Sequence, residues 1–362
     1  PDYKLDHDDD DENIIRIPST KVIFDPEDRL IHTCPIRKLT ASLKSREFDI
    51  IHIQTPFVAH YLGLHLSREL DVACIETYHT FFEEYLYNYV PLLPKNWLRA
   101  LARKISVRQC NSVDHVVVPS TAMQEVLEDY GVTTDTTILP TGIEAESFKP
   151  GDGARFRHKY HIAADRPVLL NVSRIAHEKN IDFLIRMLTH VWQEIPDVLL
   201  IIAGDGPAKR HLQRLARSLG LDHNILFIGY LDRNTELKDC YCSADIFVFS
   251  SRTETQGLVL LEAMALGTPV ISTAVMGTKD ILQADAGALI ADENEVKFAC
   301  KVTRLLANDL QRKSLGEQAR NYTQQWSADM MADRLLNLYN NIIGARPDVA
   351  EQQSIQKSKL KT

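Results

Sequence analysis

Short uncharged apolar segments alternate with longer segments of helical length through the second half of this chain. The apolar segments are residues 168–172, 198–203, 225–229, 246–250, 270–272 and 288–290. Strands of this kind, separated by helices, predict a parallel sheet that is covered by helices on both faces. The ligands of such sheets bind beyond the carboxyl ends of the strands, so loops at those ends are the first places to search for a site.

The first half shows the same alternation less regularly. Its predicted strands are residues 48–54, 73–78, 113–119 and 136–139, and its predicted helices are residues 58–69, 95–110 and 120–130. The connector "LPTGIEAESFKPGDG" is rich in proline and glycine, which is typical of a domain boundary. We therefore predict an α/β protein with two Rossmann-like domains, residues 1–140 and 141–326. A C-terminal helix at 327–345 is expected to pack toward the first domain, and 346–362 to form a disordered tail.

Composition excludes several classes of protein. The formal net charge of −8 argues against a general nucleic-acid binder, and no window of about 18 uncharged apolar residues could span a bilayer. Six scattered cysteines favour reduced thiols in the cytoplasm. Cys240 and Cys242 could be half of a metal site or two inert thiols, and the acidic run from Asp8 to Glu12 could bind a metal or form a solvated loop.

Two carboxylates, Glu254 and Glu262, lie eight positions apart in "SSRTETQGLVLLEAMALGTPVIS". They could be an acid/base pair, or one loop acid and one solvated acid. A third interpretation follows from the helix that begins after Gln256 and Gly257, because unpaired N–H groups at a helix start suit a phosphate. Glu262 would lie about 7.5 Å along that helix, where a carboxylate can accept both hydroxyls of a ribose. This spacing favours a nucleotide with an attached sugar.

Two cations precede these acids at the same predicted sheet edge. In "NVSRIAHEKNID", Arg174 follows a strand and Lys179 precedes a helix. They could be ordinary surface charges, but two converging cations can also bind a diphosphate and stabilise the charge that develops when it leaves.

The second half closely resembles the nucleotide-sugar-binding domain of family-4 retaining glycosyltransferases of the GT-B fold. The motifs that carry this resemblance are "SRIAHEKN", "IAGDGP", "IGYL" and "ADIFVFSSRTETQGLVLLEAMALGTPVIST", which cover most of residues 136–343. The first half resembles the family more weakly, through "ETYHTFFEEYLYNYVPLLP" and "VVVPSTAMQEVLEDYG". Both halves look like the diacylglycerol glucosyltransferase and lipid mannosyltransferase branches.

The resemblance implies roles for individual residues. Arg174 and Lys179 would hold the donor diphosphate, Glu254 the hexose and Glu262 the ribose. The remaining donor-binding residues would be Gly257 and Leu258 at the distal phosphate, Tyr230 and Leu231 at the base, and Gln256, Gly204 and Asp205. His79 would lie near the donor sugar, although it could equally be a structural histidine at a strand end. The leaving phosphate helps to accept the acceptor proton in this family, so neither a metal nor a cofactor is expected.

The beginning of the chain differs from the family pattern. Members normally start with a strand and a glycine-rich loop, whereas "PDYKLDHDDDDENIIRIPS" resembles the segment about forty residues later. We therefore expect a first domain without that strand and loop.

The segment 95–110 is basic and carries no acid. It contains the candidate membrane or acceptor residues Lys95, Trp97, Arg99, Arg103, Lys104 and Arg108. Residues 95, 99 and 103 form a stripe at helical spacing, and Leu98, Leu101 and Ile105 add apolar surface. Such a helix could lie on an anionic membrane or pack against the sheet with a solvated outer face.

The function expected from these observations is transfer of a hexose from a nucleoside-diphosphate sugar, UDP-glucose by resemblance, to a lipid or glycan hydroxyl with retention. The alternatives are a GT-B sugar-nucleotide epimerase and a nucleotide-sugar-binding module without turnover. The expected location is the cytoplasm, at the inner face of the membrane.

Overall fold

The structure is a computed structural model that describes residues 13–21, 29–32, 36–83, 94–233, 235–283 and 286–345. Contacts between residues divide the chain into two compact units. The first unit contains Pro1–Pro119, Met123–Leu139 and Arg334–Thr362, and the second contains Ser120–Ala122 and Pro140–Asp333.

The first unit contains a four-stranded parallel sheet in the order β3-β4-β5-β6. Its strands are β3 (Ile50–Ile53), β4 (Ala73–Thr77), β5 (His115–Val118) and β6 (Thr136–Ile138). Its helices are α1 (Ile36–Leu43), α2 (Val58–Leu70), α3 (Lys95–Cys110) and, from Met123 onward, α4 (Thr121–Tyr130). All five residues of β4 are buried, including Glu76, whose carboxylate lies 2.9 Å from Nδ1 of the buried His60. An antiparallel pair, β1 (Ser19–Lys21) and β2 (Arg29–Ile31), was not predicted.

The second unit contains a six-stranded parallel sheet in the order β12-β11-β10-β7-β8-β9. Its strands are β7 (Val168–Val172), β8 (Leu199–Ala203), β9 (Ile225–Gly229), β10 (Ile246–Phe249), β11 (Val270–Ser272) and β12 (Ala288–Ile290). Its helices are α5 (Gly153–Lys159), α6 (Ile181–Glu194), α7 (Lys209–Ser218), α8 (Glu236–Ser243), α9 (Leu258–Ala265), α10 (Thr278–Ile281), α11 (Glu295–Leu306) and α12 (Asp309–Tyr322). The final helix, α13 (Ala328–Ala345), begins in this unit and continues in the first.

Both faces of the second sheet are buried. On β10, Ile246 and Val248 pack into one apolar cluster, whereas Phe247 and Phe249 pack into the other. Successive side chains of a strand point to opposite faces, so a strand covered on both sides must be apolar at every position. This is the physical origin of the uninterrupted apolar segments.

The order of the strands creates a crevice at one point of the sheet edge. The chain passes from β7 to β8 and β9, and then returns to the other side of β7 to form β10, β11 and β12. The connections after β7 and β10 therefore leave in opposite directions. Such a switch point is where doubly wound sheets bind their ligands, beyond the carboxyl ends of the strands.

Candidate active site

Four neighbouring strands of the second unit end in residues that the sequence singled out. In sheet order, β9 is followed by Tyr230 and Leu231, β8 by Gly204 and Asp205, β7 by Arg174, and β10 by the loop with Glu254. Because these strands are parallel, their carboxyl ends lie at one edge of the sheet. The structure thus brings the predicted donor-binding residues of the second unit to a common edge.

An ion pair bridges the switch point between β7 and β10. Lys179 Nζ lies 2.5 Å from Glu254 Oε1, and both side chains are 17% exposed. A carboxylate that is paired with a lysine in this setting is held in one orientation. This geometry favours a positioning or ligand-binding role for Glu254 over that of a partner to Glu262 in acid/base catalysis.

Asn180 links the turn that carries Lys179 to the end of the strand that precedes Glu254. It follows a 3₁₀ turn at His177–Lys179 and adopts a left-handed backbone with φ of 55°, a conformation that asparagine tolerates better than most residues. Its amide donates a hydrogen bond to the carbonyl of Ser250 (3.2 Å), and the Ser250 hydroxyl donates one to the carbonyl of Asn180 (2.9 Å). The turn that carries Lys179 is therefore anchored directly to the end of β10.

Arg174 belongs to a loop that the next strand supports. Its guanidinium lies 2.8 Å from Glu178, and the backbone N–H of Ile175 donates to the carbonyl of Asp205 (2.8 Å). The Asp205 carboxylate in turn binds Lys209, which lowers the pKa of Asp205, and Gly204 N–H donates to a carbonyl of β9. The contacts of Gly204 and Asp205 in this structure support the Arg174 loop, and their role in donor binding stays a prediction.

Helix α9 begins at the carboxyl end of β10. Its N-cap, Gly257, has φ of 104°, a value that strongly favours glycine, and Leu258 is the first helical residue. The side chain of Gln256 is buried, and its amide binds both the N–H (2.9 Å) and the carbonyl (2.7 Å) of Thr141. Only the backbone of Gln256 is therefore available to a ligand, because its side-chain amide is hydrogen-bonded to Thr141 of the connector.

Glu262 lies one turn further along α9 and has two partners that the sequence analysis missed. Its Oε1 lies 2.9 Å from Arg233, and its Oε2 accepts a hydrogen bond from the Tyr241 hydroxyl at 2.9 Å. Tyr241 is fully buried, and burial raises its pKa well above the usual value, so it remains a donor. Arg233 is largely exposed. A cavity of about 390 Å³ opens beside this group and is lined by Tyr241, Arg233, Leu258 and Glu262 among others.

The cysteines that were candidate metal ligands make contacts of another kind in the structure. Cys240 is a buried free thiol whose pKa burial raises, and the Cys242 sulfur accepts a hydrogen bond from Gly151 N–H at 3.3 Å. These contacts favour inert thiols. No group of three or more His, Cys, Asp or Glu suited to a metal occurs among the described residues. The acidic run from Asp8 to Glu12 lies outside them.

His79 follows β4 in the first unit. Its Nε2 lies 2.9 Å from Oε1 of Gln54, and partial burial lowers its pKa. Gln54 is a partner that the sequence analysis did not identify, since nothing in its local pattern distinguishes it from other polar residues at strand ends.

Two arginines of helix α3 form ion pairs that the sequence pattern did not reveal. Arg103 makes two hydrogen bonds to Glu83 (3.0 and 2.9 Å), and Arg99 lies 3.6 Å from the same carboxylate. These two arginines of the predicted basic stripe are therefore engaged in ion pairs while remaining about half exposed, and their role at a membrane or acceptor stays a prediction. Leu98 is buried. The side chain of Lys95 lies outside the described part of the chain.

A different face of α3 is exposed. It consists of Trp97 (77% exposed), Leu101, Lys104 and Arg108, which lie at helical spacing on one side. This face combines two apolar side chains at its start with two cations further along.

Two family models match the chain. Residues 1–147 match the family described as "Glycosyltransferase Family 4", and residues 152–322 match "Glycosyl transferases group 1". An alpha-monoglucosyldiacylglycerol synthase of Streptococcus pneumoniae is 31% identical, over 97% of this chain and 80% of that protein. A sulfoquinovosyl transferase of Arabidopsis thaliana is 30% identical, over 77% of this chain and 54% of that protein.

Solved structures share the fold. Sucrose-phosphate synthase from Thermosynechococcus elongatus superposes with a TM-score of 0.72 at 24% identity, over 86% of this chain and 78% of that one. HepE of Anabaena in complex with UDP-glucose has a TM-score of 0.69 at 18% identity, over 84% of this chain and 82% of that one. These neighbours are GT-B proteins, and the predicted fold class, α/β with parallel sheets of the GT-B type, is confirmed.

Proposed function

Because this chain belongs to the family 4 glycosyltransferases, we propose that it transfers glucose from UDP-glucose to a hydroxyl of a diacylglycerol-type lipid with retention of configuration. The observation that carries the proposal is the Lys179–Glu254 pair at the switch point of the second sheet. The name of the Streptococcus pneumoniae relative supports a glycolipid product, and the UDP-glucose complex of the Anabaena neighbour supports the donor.

The diphosphate of the donor would bind beyond β7. Lys179 carries three N–H donors, of which Glu254 occupies one, so the ammonium group can bind phosphate oxygens while the ion pair persists. Arg174 supplies a second cation from the neighbouring loop. Together they would stabilise the negative charge that grows on the diphosphate as the glycosidic bond breaks.

The two carboxylates would bind different sugars. Glu254 retains free lone pairs on its carboxylate and would accept hydrogen bonds from hexose hydroxyls. Glu262, oriented by Tyr241, would accept them from the ribose, with Tyr230 against the base. His79 would contact the hexose from the first unit. The departing phosphate oxygen would accept the proton of the acceptor hydroxyl, so the proposal requires no carboxylate nucleophile, metal or cofactor.

The proposed function is tested by analysing the product. The protein is incubated with UDP-glucose and mixed vesicles that contain diacylglycerol, with and without EDTA, and the anomeric coupling of the glucolipid is read by NMR. An α-glucolipid formed in both conditions supports the proposal. A β-anomer, an epimerised nucleotide sugar, or UDP release without a glucolipid would contradict it, and loss of activity with EDTA would contradict its metal-free chemistry.

Glu262→Gln is expected to weaken donor binding. A hydrogen bond to a charged group contributes about 1.5–3 kcal/mol, so we expect the Kd for UDP-glucose to rise about tenfold or more. Thermal shift measures this change, because ligand binding to the folded state raises Tm by mass action. Glu317→Gln is the matched control, since Glu317 is exposed on α12. If UDP-glucose raised the Tm of the two variants equally, the assignment of Glu262 to the donor site would be wrong.

We propose that the exposed face of α3 binds the anionic inner surface of the cytoplasmic membrane. Within the described residues, no helix is both long and apolar enough to cross a bilayer. Each basic residue near an anionic surface contributes about 1 kcal/mol, so replacing Lys104 and Arg108 by Ala should weaken vesicle binding about thirtyfold at low salt.

The matched control removes the same charge from the paired side of α3. Arg99→Ala with Arg103→Ala should affect binding less, because helical spacing places these side chains on a different side of α3 from Trp97, Lys104 and Arg108. Trp97→Ala should weaken binding at any salt concentration, since it removes apolar contact. Co-sedimentation with phosphatidylglycerol vesicles measures all three, and an equal loss for both charge pairs would contradict the assignment of the face.

A further inference from the structure

A continuous set of hydrogen bonds links His79 to the C-terminal helix within the first unit. His79 Nε2 lies 2.9 Å from Gln54 Oε1, and Gln54 Nε2 lies 3.1 Å from Nε2 of His52. His52 Nε2 is also 2.6 Å from the Thr77 hydroxyl, and its Nδ1 is 2.6 Å from the hydroxyl of Tyr339 on α13. These side chains come from the ends of β3 and β4, the loop after β4, and α13.

The orientation of the Gln54 amide in this structure determines where the protons lie. Gln54 can donate only through Nε2 and accept only through Oε1. Nε2 of His52 receives the Gln54 amide N–H and therefore carries a lone pair, which places the ring proton on Nδ1 and directs it to Tyr339. Oε1 of Gln54 requires a donor, so Nε2 of His79 carries a proton. A neutral His79 then has an unprotonated Nδ1.

The alternative proton arrangement reverses every link. If the Tyr339 hydroxyl donated to Nδ1 of His52, the proton of that ring would lie on Nε2. That proton can be donated to the Thr77 hydroxyl, which lies 2.6 Å from Nε2 and which donates to Nε2 in the first arrangement. Since the Gln54 NH₂ group could then no longer donate to His52, the amide would turn its oxygen toward His52 and its NH₂ group toward His79, whose Nε2 would become an acceptor. The protonated nitrogen of His79 is thus coupled to a hydroxyl on α13, three side chains away.

We infer that Tyr339, His52 and Gln54 form a proton-ordering chain that sets the tautomer of His79, with Gln54 as the positioning residue in direct contact with it. The inference rests on the proposed function in one respect: His79 is taken to face the donor hexose. In the ordered state its Nδ1 is a hydrogen-bond acceptor for a sugar hydroxyl, whereas the reversed state would present a donor there.

The surroundings keep the chain uncharged at neutral pH. Burial, with a smaller contribution from His79, lowers the pKa of His52 to about 4, and burial lowers the pKa of His79 as well. Burial raises the pKa of Tyr339, which therefore keeps its proton. Neutral imidazoles are required for the arrangement, because a tautomer exists only when one ring nitrogen is unprotonated.

Long-range ¹H–¹⁵N NMR on histidine-labelled protein tests the chain without any donor. At pH 7 we expect the Nδ1–H tautomer for His52 and the Nε2–H tautomer for His79. Tyr339→Phe should move His52 toward Nε2–H and His79 toward Nδ1–H, and in the Gln54→Leu background the same substitution should leave His79 unchanged. A wild-type His52 protonated on Nε2, or a Tyr339→Phe protein with a native amide spectrum and an unaltered His79, would overturn the inference.

Kinetics provide a second readout. Gln54→Glu retains an acceptor for His79 but adds a negative charge, which should raise the pKa of His79 by about 1–3 units. The ring then becomes cationic and loses its acceptor Nδ1 below that pKa, so the fall in kcat with decreasing pH should begin at a higher pH in this variant than in the wild type. An unchanged pH profile would contradict the role of Gln54. Because the NMR result does not depend on transfer, failure of the proposed function and failure of the chain can be distinguished.

Discussion

Lys179→Ala is expected to lower kcat for hexose transfer by about 100- to 1,000-fold, the usual effect of removing one preorganised group that stabilises developing charge. Lys179 is the cation at the switch point, and its pair with Glu254 holds both side chains beside the predicted diphosphate position. The measurement is steady-state kinetics with UDP-glucose and the lipid acceptor. A smaller change in KM than in kcat is expected, because the interaction strengthens as the leaving group develops its charge.

The control for this variant is Lys297→Ala. Lys297 also pairs with a carboxylate, Asp292 at 2.7 Å, but both side chains are largely exposed. We expect its activity to remain within about twofold of the wild type, since exposed pairs contribute little. Lys179→Ala leaves Glu254 partly buried without its partner, so its unfolding free energy is measured in parallel. Full activity in a folded Lys179→Ala protein would remove this residue from the site.

Gly277→Ala is expected to damage both stability and activity. A Cβ at this position would lie 2.0 Å from the carbonyl oxygen of Thr255 and 2.4 Å from its carbon, and Gly277 N–H donates to the carbonyl of Glu254 at 3.0 Å. The backbone of the Glu254 loop must therefore move. Overpacking of this kind costs about 1–3 kcal/mol, and a displacement of about 1 Å at a reacting site can lower the rate about 100-fold.

Gly344→Ala is the matched control. Gly344 lies near the end of α13, and a Cβ there would have no neighbour within 4 Å. The same substitution should stabilise the protein by up to about 0.5–1 kcal/mol, because glycine is disfavoured in a helix. Urea unfolding and transfer assays on both variants separate close packing at Gly277 from a general effect of the change. Wild-type kinetics for Gly277→Ala would show that the Glu254 loop tolerates displacement.

The predicted sheet of the second unit agrees with the structure because its central strands are buried on both faces. Val168–Val172 and Ile246–Phe249 are apolar at every position except Asn171, so the local pattern records their burial directly. The strands β1 and β2 and the short helix α10 were not predicted, because elements of three or four residues are too short to show a hydrophobic periodicity.

The extent of helix α3 was predicted correctly, whereas the partners of its arginines were not predicted. Helical spacing places Arg99 and Arg103 on one stripe, but spacing carries no information about Glu83, which lies outside the helix and pairs with both. The exposed face with Trp97 follows only once the packing of Leu98 against the unit is known.

The identity of the charged residues at the sheet edge follows from the order of residues along the chain, because a loop after each parallel strand must emerge at the same edge. Their partners do not. Glu254 pairs with a lysine 75 positions away, Gln256 binds a backbone 115 positions away, and His52 contacts a tyrosine 287 positions away. Local periodicity reports which side of its own element a residue occupies, whereas these contacts depend on which elements the sheet order makes neighbours. The residue types at the candidate site can therefore be identified from the sequence. The hydrogen bonds and ion pairs that orient their side chains form only when the chain folds.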